Sequence, residues 1–384
     1  MSKLCMLPWV SMEVTPMGTY RPCCVYKDTI PGLSVQQGHT IHDAQHSDYM
    51  VDLRNQFMNG EQPVGCSQCW DEEKVFGRSS KRRSTKIKLK DVHVTYDESG
   101  VEPIFLDLKL GNICNLKCRI CGSWSSSKWA QEEIDVADGD NNLAKQQLRD
   151  GQWPRKTNSW WSSLEDALPY VEYLEFTGGE PFLILEHFEL LRELVNKGLA
   201  ANIDIHYNTN GTTLPKEGLD LWPHFRHVEI AFSIDDTGKR FEYQRFGAKW
   251  ESVDTVVRAA RKIEGNITLQ VCTTFNVQNA YYWPETLQWI QDVGITDIHY
   301  NILHEPPMFS LRNISQNAKS AIANRMRTSS AKAADFIEGI IGFMMLDGPD
   351  LSSLLHTRLT ANDLYRKQSF AATHPEVAAL LFDK

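Results

Sequence analysis

The chain predicts an α/β fold of six parallel strands with helices between them. Three observations carry that reading. Strand-like and helix-like stretches alternate from residue 104 to 303, the mark of parallel β/α units. Each strand-like stretch alternates apolar and polar side chains, whereas the stretches between follow helical spacing. The polar face of the strands is rich in acidic, basic and amide residues, where a closed structural barrel would place branched apolar ones.

The strands in order are IFLDLKL (104–110), VEYLEFT (171–177), ANIDIHYN (201–208), HVEIAFSID (227–235), NITLQVCTTFN (266–276) and TDIHYNIL (296–303). Helices are expected at SSSKWAQEEI after the first, EHFELLRELVNKG after the second, SVDTVVRAARKIEG after the fourth and PETLQWIQDVG after the fifth. The polar stretch 136–158 reads as a loop or insertion.

Successive side chains of a strand point to opposite faces. The apolar set, such as Val228, Ile230, Phe232 and Ile234, must pack under the helices. The other face then lines an interior. It carries Asp107, Lys109, Glu175, His206, Asn208, Asp235, Gln270, Asn276 and His299. Parallel sheets are rarely exposed, so this face predicts a wet or ligand-filled cavity rather than a solvent-facing sheet.

Composition narrows the class. The 384 residues suffice for two or three domains, and 42% hydrophobic with 23% charged residues is ordinary for a globular protein. A net charge of −9 argues against a nucleic-acid partner. No apolar run approaches the ~20 residues of a membrane helix, so a cytoplasmic protein is expected. Eight of the nine cysteines fall in tight clusters, which favours metal ligation in a reducing compartment over disulfides.

Five cysteines lie in residues 1–77: Cys5, Cys23, Cys24, Cys66 and Cys69. Gly18 suits a tight turn between two short strands, VSMEVTP and TYRPCCVY. Residues 78–103 open with a basic run and read as a solvated linker, with a substrate phosphate or acidic peptide as the alternative use of the charge.

The stretch CNLKCRIC sets Cys114, Cys118 and Cys121 in a C-x₃-C-x₂-C pattern directly after the first strand. Three thiols in one loop can hold three corners of a [4Fe–4S] cube and leave one iron open. A zinc knuckle or plain buried thiols fit the same spacing. After the second strand comes Thr177-Gly178-Gly179-Glu180-Pro181. With both motifs in that order, residues 104–303 resemble the radical S-adenosylmethionine (SAM) enzymes. Their CxxxCxxC follows the first barrel strand and a GGEP-type motif the second. Cys5, Gly18 and Cys23 are similar to the C-x₉₋₁₅-G-x₄-C element of the SPASM or twitch auxiliary-cluster modules. Those modules usually follow the barrel rather than precede it, and the remaining cysteines of a full SPASM module are missing here.

The resemblance implies a partial (β/α)₆, TIM-like radical SAM barrel over 104–309. It would be preceded by a small cysteine-rich auxiliary module (1–77) and followed by a helical region (310–384). It implies a [4Fe–4S] cluster on Cys114, Cys118 and Cys121 that binds SAM. An electron from a donor such as flavodoxin or ferredoxin would cleave SAM to a 5′-deoxyadenosyl radical that abstracts a substrate hydrogen. It further implies a second, auxiliary [4Fe–4S] cluster on Cys5, Cys23, Cys66 and Cys69, with Cys24 spare or exchanging with Cys23. A structural zinc on the same thiols stays open.

SAM contacts implied by position are Gly178, Gly179, Glu180 (accepting from the ammonium), Pro181, Asn208 and Asn210 in YNTNG, Ser233 and Asp235 in FSIDD, Ile120 beside adenine, and Arg245 at the carboxylate. A surface role for Arg245 and a helix cap by Asp235 are the plain alternatives. Cys272 faces the interior and is a candidate hydrogen-atom donor to substrate, though free cysteines are commonly small buried hydrophobes. Auxiliary-cluster relatives often modify peptides, so a peptide substrate is expected. A small metabolite or nucleotide is the alternative, and a non-catalytic cluster- or zinc-stabilised binding protein the rival.

Overall fold

The computed structural model describes residues 4–75, 80–100, 102–156, 158–329 and 334–383. The six expected strands form, each within the residues that period two marked. They are β3 (Phe105–Lys109), β5 (Tyr173–Thr177), β6 (Asp204–Thr209), β7 (His227–Ser233), β9 (Ile267–Phe275) and β10 (Asp297–Ile302). All pair in parallel in that order.

The sheet does not end at β3. The N-terminal region supplies β1 (Ser11–Val14), which pairs in parallel with β3, and β2 (Tyr20–Arg21), antiparallel to β1. Gly18, at φ +72°, makes the turn between them. The cysteine-rich region is thus continuous with the barrel sheet. The remaining strands, β4 (Lys117–Cys118) and β8 (Arg245–Phe246), form a small antiparallel pair over the cysteine loop.

Two sequence expectations are corrected. The stretch 136–158 is largely helical, with helices at Asn142–Asp150 and Trp153–Lys156. Trp153, fully buried, packs edge-on against Trp160, and both indoles join the hydrophobic core. The basic run is a helix, Lys81–Lys88, rather than a solvated linker; residues 77–79 at its start lie outside the described residues. Ser80 caps it. Lys81 turns inward, its Nζ 3.1 Å from Glu175, while the more exposed Lys88 reaches the Tyr173 hydroxyl and lies over its ring.

Beneath the helix Leu185–Asn196, His187 is fully buried. Its Nδ1 donates to the Ile184 carbonyl at 2.6 Å, and its Nε2 accepts from the Tyr207 hydroxyl at 3.1 Å. Burial lowers its pKa from 6.5 to about 3. Below pH 6.5 the unfolded chain takes up a proton that folded His187 refuses. Stability should therefore fall as pH drops, by about 1.4 kcal/mol at pH 5.5. Urea midpoints at pH 7.5 and 5.5 check this, and His187→Gln should narrow the gap.

Candidate functional site at the carboxyl ends of the strands

The sequence motifs converge at one end of the sheet. The cysteine loop follows β3, Gly178-Gly179-Glu180-Pro181 follows β5, Asn210 follows β6 and Asp235 follows β7. These four strands are neighbours.

The loop and the glycine motif are zipped together by backbone. Gly179 N donates to the Gly111 carbonyl at 3.0 Å, and Glu180 N to the Ile113 carbonyl at 2.9 Å. A Cβ on Gly179 would stand 2.3 Å from the Ile113 oxygen, and Gly178 has φ +107°. The close approach that requires glycine is therefore to the cysteine loop. This differs from the expectation that the glycines admit a ligand.

Glu180 also differs from expectation. It is 1% exposed, and its carboxylate accepts from Thr209 Oγ1 (2.8 Å), Asn210 N (2.7 Å) and Phe182 N (3.2 Å). Burial pushes its pKa up to about 7, against the pull of those hydrogen bonds. Glu180 is a buckle between the ends of β5 and β6, with Pro181 opening a short 3₁₀ turn behind it. Asn210 is equally engaged. Its amide donates to Asn115 Oδ1 in the cysteine loop at 2.8 Å, and its own oxygen accepts from Thr212.

Arg245 is no surface arginine. It sits opposite Cys118 in the β4–β8 pair, with Nη1 3.9 Å from the sulfur and Nη2 2.7 Å from Asp235. Asp235 also accepts from Thr274 N and so caps no helix; it aims the guanidinium at the cysteine loop. Ile120 is half-buried, and Ser233 pairs with Cys272 in the sheet register.

The C-terminal region, which the sequence left without a role, grips the same loop. Arg366 donates to the Lys117 carbonyl at 2.9 Å and pairs with Glu132 at 3.0 Å. Arg119 pairs with Asp363 at 2.6 Å and lies 3.7 Å from the centre of the Tyr243 ring. Trp129 Nε1 donates to the Cys118 carbonyl. The helix Ser352–Arg366 thus holds the Lys117 carbonyl and the Arg119 side chain, on either side of Cys118.

Beneath these loops lies a cavity of about 910 Å³. Lys109, Glu175, His206, Asn208, Gln270, Cys272 and His299 line it as the period-two reading expected. Asp107, Asp235 and Asn276 do not. Asp107 is buried in the sheet, and Asn276 is folded into its own turn, where its side chain bonds Thr274 O and Gln278 N. One row of the sheet runs Glu13, Asp107, Glu175, His206, Glu229. Arg21 meets Glu13 at 2.5 Å and His206 meets Glu229 at 2.5 Å. Burial alone would raise the Glu175 pKa, but Lys81, His206 and Lys109 hold it low; Asp107, with less compensation, is raised by burial. Lys81 and Lys88 come from the segment read as a linker. The one sequence signal for them was its lysine spacing, and that did not say which face was buried.

The cysteines divide into two sets. Cys5, Cys23, Cys66 and Cys69 line one small cavity with Arg82, Tyr26 and Trp70. Cys24 faces the other way and lines the large cavity. All nine cysteines are free. Burial and the neighbouring sulfurs raise the thiols of both sets, to about 12 for Cys66 and Cys121. Thiols that penalise each other's ionisation, with no disulfide between them, suit a bound cationic centre that displaces their protons. Sulfurs around a tetrahedral zinc stand roughly 3.8 Å apart. Among the described residues, which include every cysteine, the ligand atoms that converge in threes within 4.8 Å belong to His42, His46 and Glu102. Among the described residues no three thiol sulfurs converge within that distance.

Comparison with known proteins agrees with this layout. Residues 108–290 match the Radical SAM superfamily. The sporulation killing factor maturation protein SkfB of Bacillus subtilis (strain 168) is 28% identical over 193 residues, 49% of this chain and 40% of SkfB. The chain thus matches less than half the length of that curated relative. Among solved structures, anSMEcpe with bound AdoMet aligns at a TM-score of 0.40 with 18% identity, over 60% of this chain and 58% of that one. SuiB of Streptococcus suis bound to precursor peptide SuiA aligns at 0.35 with 13% identity, over 77% and 55%. Among the described residues no helix is long and apolar enough to cross a membrane. With its cysteine loop, glycine motif and parallel strands in the matched order, the chain carries a radical SAM domain over residues 108–290.

Proposed function

We propose that the chain is a radical SAM enzyme with an auxiliary cluster, acting on a peptide. The observation that carries the reading is the convergence of the Cys114–Cys121 loop and the Gly178–Pro181 motif over a large, charged cavity. Cys114, Cys118 and Cys121 would hold the SAM-binding [4Fe–4S] cluster, and Cys5, Cys23, Cys66 and Cys69 the auxiliary one. When bound and reduced, cluster and SAM supply a 5′-deoxyadenosyl radical that abstracts a substrate hydrogen.

The protein's share is placement. Glu180 and Asn210 fix the ends of β5 and β6 against the cysteine loop, and backbone carbonyls of that motif are left for the SAM ammonium. Arg245, held by Asp235, sets positive charge beside Cys118. Asn208 and Ser233 stand at neighbouring strand ends, and Ile120 offers an apolar edge. The helix Lys81–Lys88 closes the cavity and keeps water from the reacting centre.

A peptide fits for two reasons. The cavity is at the upper end of small-ligand pockets, and Lys81, Lys88, Arg21, Glu72, Glu175 and Glu229 offer both charges. The matched relative SkfB is a maturation protein by name. A one-electron donor such as flavodoxin or ferredoxin would reduce the cluster.

The test is anaerobic reconstitution with iron and sulfide, then SAM and dithionite, with 5′-deoxyadenosine measured by chromatography. Its formation supports the reading; a cluster-loaded protein that leaves SAM intact refutes it. Cys272 lies in the cavity 3.4 Å from the Asn301 amide, its thiol raised to about 12 by burial. As a neutral S–H it can return a hydrogen atom to a substrate radical. Cys272→Ser should then retain 5′-deoxyadenosine formation and lose most product. Full product formation would dispose of that role.

A further inference from the structure

Away from both cysteine sets, two histidines and a glutamate meet on the surface. His42 lies in the short helix Ile41–Gln45, and His46 is the residue that ends it. Glu102 comes from the segment entering β3, sixty residues on. One ligand atom from each lies within 4.8 Å of the other two. The imidazoles stand 4.1 Å apart at 31°.

Hydrogen bonding fixes how the rings are presented. His46 Nδ1 is 3.0 Å from the His42 carbonyl, and His42 Nδ1 is 2.8 Å from Glu102 Oε1. The carbonyl only accepts, so His46 Nδ1 carries the proton and its Nε2 keeps its lone pair, whereas between His42 Nδ1 and Glu102 Oε1 an ion would take the proton's place. A hydrogen bond from the second ring nitrogen to a carboxylate or carbonyl is how metal-ligating histidines are oriented. The two residues sit one helical turn apart on the same face, where one ion can take both.

We propose that His42, His46 and Glu102 form a binding site for a zinc-class divalent cation. Two imidazoles and a carboxylate are borderline donors that suit zinc, nickel or cobalt over calcium or magnesium. Exposed imidazoles leave the remaining positions to water. The ion would tie the helix that follows the N-terminal hairpin to the strand that leads into the cysteine loop. That brace is independent of the thiols and of the proposed radical chemistry.

The test uses the full chain with its thiols already occupied by anaerobic reconstitution with iron and sulfide. Zn²⁺ is titrated against a chromophoric chelator, and the bound ion is examined by X-ray absorption. The expected result is one equivalent with nitrogen and oxygen neighbours at roughly 2.0–2.2 Å. Each of His46→Ala and Glu102→Gln should weaken it roughly tenfold or more, since losing even an orienting partner costs that much. His93→Ala, exposed and outside the trio, should leave it unchanged. All three positions are at the surface, so the variants fold. The proposal is overturned if no zinc binds, if the ion shows a sulfur shell at about 2.3 Å, or if both variants bind as tightly as the parent. In each case the trio is a hydrogen-bonded surface cluster and nothing more.

Discussion

Replacing Cys118 with alanine is expected to abolish reductive SAM cleavage and to lower the iron content by about four per chain. In the proposed site Cys118 would be the middle ligand, on a loop with little slack. Its flanking backbone is held by Arg366 at Lys117 O and by Trp129 at its own carbonyl. No other thiol of the domain can swing in, because Cys272 lies in the cavity within its own strand. Iron assay and 5′-deoxyadenosine measurement on one anaerobic sample check both halves. The remaining irons should be about four, held by the N-terminal set, so the variant also reports whether the two sites load independently. A Cys118→Ala protein that still cleaves SAM would move the cofactor away from this loop.

The second large effect separates neighbours in the chain. Cys23→Ser should remove the N-terminal cluster, again about four irons, while Cys24→Ser should retain all of them. Cys23 is 8% exposed and shares a cavity with Cys5, Cys66 and Cys69. Cys24 points across the hairpin into the central cavity, where Lys81 lies close enough to lower its thiol against the larger effect of burial. Iron analysis of the pair, with zinc assayed alongside, decides it. Equal loss in both variants would mean that the hairpin rearranges when the cluster is built.

Much of the barrel was legible because its signals are local. Period two along FLDLK, YLEFT and DIHYNT separates core from cavity, and the structure keeps that division at Glu175, His206 and Gln270. It breaks at Asp107 and Asp235, which are buried, and at Asn276, one residue beyond β9, where the side chain bonds its own turn. The cysteine loop and glycine motif were likewise contiguous in sequence. What escaped notice depends on partners far away in the chain. Nothing in SMEV says that it will pair with FLDLK some ninety residues later. Lys81 and Lys88 look solvated until Glu175 and Tyr173 are placed opposite them. Adjacent Cys23 and Cys24 are equivalent on paper, and only the turn that follows β2 sends them to different cavities. Glu180 carries the family's motif, yet its hydrogen bonds turn it inward as a buckle.

The bolt on the cysteine loop has a consequence in time. Arg366 is made 249 residues after Lys117, the residue whose carbonyl it holds. At about 5–20 residues per second, translation leaves an interval of roughly 12–50 s. Through it, Cys118 has emerged but its clasp has not been synthesised. Until then the three thiols are presented on a loop without the Arg366 contact that holds it in the finished fold. Closure over the cysteine loop therefore comes late, with the last long helix of the chain to appear.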